Sequence, residues 1–349
     1  MKVDVMTPAR PLAEIQRLAH DARAAGFDGV VLTEGGRTAY LSCAAAILAA
    51  PELDVLTGVA VAFPRSPMVT AQVAWELADA SGGRFRLGLG TQVRTHAERR
   101  YGVSFDPPGP RLEEYVRAVR ACFAAFRGEA PLDFHGRFHE LTFLNAQWSP
   151  GRLAVGDPPV DVAAVNPWML RMAGRVADGL HVHPLGHAGY LRDVARPEVL
   201  AGARAVGRDP AEVQVIVPVL TVAGDTAEER AWSRSLVRTQ LSFYASTPTY
   251  RFILEAAGFA GLNEQLRAQQ KAGDVAGMAD LISDDVLAVF ATEATWDDLA
   301  AALVARYRGL ADRLVLYVAG FSWGRGDDAF ARLGEVARGV RELTTAPER

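Results

Sequence analysis

The chain is poor in cysteine, in long apolar runs and in excess charge of either sign. Only two cysteines occur in 349 residues, Cys43 and Cys122, far apart in alanine-rich helical contexts. Neither a disulfide framework nor a metal-binding spacing can be built from them, which points to a reducing compartment, the cytoplasm. No apolar run approaches the ~20 residues of a membrane span, and the opening MKVDVMTPAR has no apolar signal core. With 41 acidic against 37 basic residues the formal net charge is −4, so nothing global draws the protein to nucleic acid or an anionic membrane. A Walker loop and a zinc-binding helix are both missing, and kinase or zinc-hydrolase readings therefore have no motif to stand on.

What is present is apolar: half of the residues, with only 22% charged, enough for a large buried core. Short apolar runs read as strands over 3–6, 30–33, 54–62, 85–89, 160–165, 179–183, 213–222 and 313–318. Helical stretches lie between them, stopping at Gly26, Pro51 and Ser81-Gly82-Gly83, and a last helix covers 330–343. Residues 133–143, DFHGRFHELTF, alternate around His135-Gly136 and predict a β-hairpin inside an insertion over 130–155. After a helix over 226–245 the chain predicts helix and no further strand until residue 313. Eight strands separated by helices, with a helical excursion over 224–310 before the last, predict an α/β fold: one (β/α)8 TIM barrel, a single domain over 1–349. A doubly wound open sheet would need a phosphate fingerprint after the first strand, and Thr7-Pro8-Ala9-Arg10 is not one.

In a barrel the chemistry sits at the strand C-termini, so those ends are read together. The second strand ends in Thr33-Glu34-Gly35-Gly36-Arg37, where Glu34 and Arg37 can pair at the rim. The third ends in Ala62-Phe63-Pro64-Arg65. The fourth, broken by Gly88 and Gly90, runs into Thr91, Gln92, Arg94, His96, Glu98, Arg99 and Arg100, either one wall of a cofactor pocket or the charged start of a surface helix. The fifth feeds into Asn166-Pro167, a helix N-cap followed by proline at the first helical position, whose free N–H groups suit an anion. His181 and His183 stand at i, i+2 on the sixth strand. A metal reading lacks a third ligand nearby, and one histidine facing a pocket fits better. His135 and His139 belong to the hairpin.

Five blocks together carry a resemblance: VAVAFPRSP at 59–67, SGGRFRLGLGTQVRTHAERRYG at 81–102, NPWMLRMAGRVADG at 166–179, HVHP at 181–184 and FYASTPTY at 243–250. With them the chain resembles the bacterial luciferase-like superfamily of flavin- and deazaflavin-dependent (β/α)8 oxidoreductases. It looks closest to an actinobacterial branch that uses coenzyme F420. The resemblance implies hydride transfer between the deazaflavin and a small organic substrate, a C=C, C=N or C=O group or an alcohol. The alternative within the same fold is an FMNH2-dependent monooxygenase using O2, and a cofactor-binding paralogue without catalysis is a third reading. It also implies a homodimer paired through the early helices.

Carried over residue by residue, the resemblance implies a non-prolyl cis peptide near Val59-Ala60, against the central ring of the cofactor. Gly90 and Thr91, with His96 after them, would flank the ring and ribityl chain, while Ala164, Val165 and Asn166 would receive the phosphate. His183 would line the pocket from the sixth strand. Tyr40, Phe63, Tyr244 and Tyr250 would face the substrate. Relatives carry a His-Asp pair after the second strand, and here Arg37 and Thr38 stand in its place. Arginine does not release its proton near neutral pH, so either the acid role passes to Glu34, His96 or Tyr40 or this member runs a different reaction from its relatives, while Arg37 would hold an oxyanion or a substrate carboxylate.

Overall fold

Side chains along each central strand alternate between two apolar environments, and that alternation builds the molecule. In β1 (Lys2–Thr7), Val3 and Val5 face the surrounding helices while Met6 faces the barrel axis. In β2 (Gly29–Leu32), Val30 and Leu32 lie outside and Val31 inside. The outward residues pack beneath the helices with Ile15, Leu18, Tyr115 and Phe123 in one large core, whereas Met6, Val31, Leu56, Ile216 and Val315 form a second core inside the ring. The computed structural model describes residues 1–326 and 328–345.

From the N-terminus the chain runs β1, α1 (Leu12–Ala25), β2, α2 (Ala39–Ala49), β3 (Asp54–Thr57), β4 (Ala60–Val61), α3 (Pro67–Ala80), β5 (Phe85–Gly90) and α4 (Pro108–Phe126). A two-stranded antiparallel hairpin follows, β6 (Phe134–His135) with β7 (Glu140–Leu141), as the alternation predicts. Then come β8 (Val160–Ala163), α5 (Pro167–Val176), β9 (Gly179–His181), the short α6 (Ala188–Tyr190), α7 (Arg196–Ala205) and β10 (Gln214–Ala223). Strands β1, β2, β3, β5, β8 and β9 pair in that order, β10 pairs with both β9 and β12 (Arg313–Leu316), and β12 returns to β1. Eight parallel strand positions thus close into a (β/α)8 barrel.

Two expectations are corrected. The third strand does not run unbroken through 54–62: β3 stops at Thr57, the cis peptide lies at Gly58–Val59, one bond before the expected place, and β4 resumes by pairing with β5. The excursion after β10 is not strandless either. Helix α8 (Ala227–Ala245) is followed by α9 (Arg251–Ala256), α10 (Leu262–Ala272), α11 (Val275–Asp280) and α12 (Asp284–Phe290). The chain then forms β11 (Ala291–Ala294), which pairs in parallel with the far half of β10, Leu220 to Ala223. Helix α13 (Leu299–Tyr307), β12, α14 (Ala319–Ser322) and α15 (Ala329–Thr345) complete the described chain.

The N-terminal floor of the lumen is ionic rather than apolar. Arg313 donates to both oxygens of Asp4 at 2.6 and 2.8 Å and to Asp54 at 2.7 Å. On the opposite wall, Arg86 holds Asp161 through two bonds of 2.5 and 2.9 Å, with His181 Nε2 3.6 Å from the same carboxylate. Burial alone would raise the Asp161 carboxyl, but Arg86 and His181 beside it bring it down to about 2. Room for the His181 ring comes from Gly88, since a Cβ there would lie 2.8 Å from Nε2.

Candidate active site at the barrel mouth

The break between β3 and β4 is held by an ion pair. Glu34, just past β2, accepts a 2.7 Å bond from the Val61 N–H and a 3.0 Å bond from Arg65 Nη1, and Arg65 Nη2 meets its other oxygen. Arg65 Nη1 also donates to the Val61 carbonyl at 3.0 Å, so both main-chain groups of Val61 are gripped by the same pair. The Glu34 side chain is 3% exposed. Its partner is therefore Arg65 and not Arg37, which lies exposed on the loop, because the chain leaving β4 folds back across the β2 end. Tyr40 is buried, its ring 4.9 Å from the Arg65 guanidinium and its hydroxyl without a close hydrogen-bond partner among the described residues. Phe63 is buried against Phe105 with Arg111 over its ring, so it supports the break from behind.

The break turns Val59 over the end of β5. A Cβ on Gly90 would come within 2.7 Å of Val59 Cγ2 and 3.7 Å of the Ala163 methyl, so Val59, Gly90 and Ala163 form a floor bare of large side chains. Ala60 is buried within β4. Thr91 is half-buried, its hydroxyl bonded to the Gln92 carbonyl at 2.9 Å. His96 begins an exposed π-helical turn, His96–Arg100, at whose far end Arg100 reaches the Gly35 carbonyl and ties the β2 and β5 loops together.

On the next strand Ala164 is buried and the Val165 carbonyl accepts a bond from the Tyr190 hydroxyl. Asn166 caps α5 with its side chain, accepting from the Met169 N–H at 3.0 Å, and Pro167 occupies the first turn. At the exposed start of this ten-residue helix Pro167 has no N–H and that of Met169 is taken by the cap, which leaves the Trp168 N–H and the positive end of the helix dipole to favour an anion.

The two histidines of the sixth strand separate. β9 ends at His181, which lies in the lumen beside Asp161, while His183 lies beyond the strand with its ring 4.0 Å from Tyr250 and 4.9 Å from Tyr244. Burial pushes the His183 imidazole down to about 3, so it is neutral. Its Nδ1 accepts a 3.2 Å bond from the Leu185 N–H, which leaves Nε2–H as a donor. Among the described residues no group of three or more His, Cys, Asp or Glu side chains is placed to hold a metal ion.

Two participants receive no role from the strand-end reading. Arg65 is legible only as a residue near a strand end, and its partner is set by how the chain folds back. Tyr317 follows β12, where the inward alternation Arg313, Val315, Tyr317 would have flagged it; its hydroxyl meets that of Tyr244. The run Gly320-Phe321-Ser322-Trp323-Gly324 has the spacing of a nucleophile elbow, but Ser322 is buried at the end of the four-residue α14 rather than at a strand-to-helix turn.

A closed parallel barrel with its polar and aromatic side chains gathered at the strand C-termini has the architecture of a (β/α)8 enzyme. The chain belongs to the luciferase-like monooxygenase family, whose model matches residues 1–313. It is 36% identical over 290 residues to an uncharacterised protein of Mycobacterium tuberculosis, covering 83% of this chain and 85% of that one. It is 26% identical over 297 residues to the 5,10-methylenetetrahydromethanopterin reductase of Methanolobus tindarius, covering 83% and 86%. Its fold matches that of the coenzyme F420-dependent tetrahydromethanopterin reductase of Methanopyrus kandleri, with a TM-score of 0.78 at 18% identity over 98% of this chain and 99% of that one.

Proposed function

We propose that the protein is a coenzyme F420-dependent oxidoreductase that moves a hydride between the deazaflavin and a small organic substrate bearing C=C, C=N or C=O, or the corresponding alcohol. The observation that carries this reading is the mouth itself. It combines a floor of Val59, Gly90 and Ala163, an uncharged aromatic cluster of His183, Tyr244 and Tyr250, and a capped helix start after β8. The reductase names borne by the Methanolobus relative and the Methanopyrus fold neighbour agree with it.

A flat ring with a phosphate-bearing tail fits these residues, since a Cβ at Gly90 would push Val59 into the floor. Val59, Ala60, Gly90 and Thr91 would hold the ring and ribityl chain, and Ala164, Val165 and the Asn166 helix start would hold the phosphate. When bound, the cofactor supplies hydride chemistry at one ring face. The chain's own part is to bind, orient and keep water out. The Glu34–Arg65 pair fixes the floor, His183 offers one N–H without charge, and Arg37 at the rim takes an anionic group of the substrate.

Fluorescence titration of the purified protein with coenzyme F420 and with FMN tests the assignment. Binding of F420 without FMN is expected. Binding of FMN alone would move the protein to the second reading, an FMNH2-dependent monooxygenase using O2, which the family's description favours. The whole chain would act as one domain in the cytoplasm on a small molecule, without nucleic-acid or membrane partners. It would act as a homodimer: Leu41 and Leu48 on α2 are 58% and 75% exposed and Val69 on α3 is 47% exposed, an apolar face on the early helices. Light scattering should give twice the chain mass at micromolar protein, and a monomer there would remove the dimer from the proposal.

A further inference from the structure

Two hydroxyls that face each other carry two protons, and the bond between them uses one. Tyr244, from α8, and Tyr317, just past β12, meet hydroxyl to hydroxyl, and neither hydroxyl has another bond within the protein among the described residues. Whichever ring donates, a second O–H is left for the space in front of the pair. Tyr317 rests on the lumen core of Met6, Val31, Leu56, Ile216 and Val315. Val31 also abuts the break, since a Cβ on Gly58 would lie 2.2 Å from its Cγ1. The pair and the break in the third strand therefore stand over one patch of core.

On its other side Tyr244 meets the edge of His183, whose ring is inclined to Tyr250 at 39° with 4.0 Å between centroids. The tyrosine hydroxyls are perturbed by burial and by one another, and His183 by burial, with no charged group among the described residues acting on any of the four. Of the donor candidates read from the sequence, Tyr40 is buried against the Arg65 guanidinium, and the others are occupied or unsuited. Both Glu34 oxygens are engaged by Arg65 and Val61, His96 is exposed on its turn, and Arg37 holds its proton.

We propose that the Tyr244–Tyr317 hydroxyl pair is the proton donor of the reaction, serving an acceptor whose reacting end is planar, uncharged and conjugated and lies against His183 and Tyr250. This rests on the hydride-transfer reading above. For a carbonyl acceptor the C=O π bond breaks. With hydride supplied by a reduced deazaflavin, the carbonyl carbon would gain the new C–H bond and both its electrons, and the oxygen would take the proton of one tyrosine. The second hydroxyl passes its proton along the shared bond, and water restores it. The substrate gains two electrons and the cofactor loses two. A conjugated face suits the aromatic wall, and the absence of a fixed charge there leaves an ionic substrate face unmatched.

The test uses the protein without cofactor and 6-propionyl-2-(dimethylamino)naphthalene, a planar uncharged ketone whose emission moves to the red when its carbonyl accepts a hydrogen bond. The wild-type protein should bind it with red-shifted emission. Tyr317→Phe and Tyr244→Phe should each keep most of the affinity and move the emission to the blue. With reduced F420 and 2-cyclohexen-1-one, Tyr317→Phe should slow cofactor oxidation about 100-fold, the size of a lost general acid, with F420 affinity unchanged. Unshifted emission in both variants, or no binding by the wild type, overturns the proposal. Failure of the wild type to bind F420 while the emission shifts appear would instead overturn the hydride-transfer reading and leave the hydroxyl pair as a carbonyl-binding site.

Discussion

A methyl group added at residue 88 would lie 2.0 Å from the Thr57 carbonyl oxygen and 2.8 Å from His181 Nε2. Neither neighbour can retreat, because one is strand backbone and the other is a buried ring in the lumen. Gly88→Ala should therefore cost about 3 kcal/mol in a urea melt, the upper range for an overpacked core. A loss under about 0.5 kcal/mol, within the ordinary range for a surface site, would show that the His181 ring moves freely. Arg37 poses the opposite case, exposed and unattached to Glu34. Arg37→Ala should leave cofactor affinity nearly intact and raise KM or lower kcat. A collapse of cofactor affinity would instead place Arg37 on the cofactor.

At the scale of the element, α5 shows how a cap can serve both fold and ligand. Asn166→Ala removes the bond to the Met169 N–H and should lower stability by about 1 kcal/mol. Because the same helix start is the phosphate candidate, cofactor affinity should fall as well, and a stability loss with unchanged affinity would separate the two roles. Helices with strong local punctuation, such as Pro67–Ala80 and Pro167–Val176, were legible to the residue, since Ser-Pro and Asn-Pro starts are written in the sequence. The break at Gly58–Val59 was not legible from DVLTGVAVA, whose apolar run continues through it; only the resemblance pointed there. β11 was missed because Ala-Thr-Glu-Ala has little strand character of its own and is made a strand by the overhanging half of β10. Tyr244 and His183 were read as pocket residues, but their meeting with Tyr317 and Tyr250 depends on an excursion whose path no local pattern dictates.

For the whole molecule the buried Arg86–Asp161 pair contributes a defined response to acid. Asp161 is held near 2 against an ordinary 3.8, so the unfolded chain binds its proton first as pH falls. Its contribution is complete above about pH 5 and is lost between roughly pH 4 and 2, about 2 kcal/mol in all. Urea midpoints taken across that window should fall accordingly, and Asp161→Asn should flatten this part of the profile. The excursion from α8 to β11 leaves the barrel at the end of β10 and returns to pair with the same strand, Leu220 to Ala223 against Ala291 to Ala294. Its first helix brings Tyr244 to the mouth, yet the barrel closes through β9, β10, β12 and β1 without it. Such a segment is a cassette, sewn at both ends to one strand. Related barrels could exchange it whole, altering what the mouth accepts while the ring beneath is inherited unchanged.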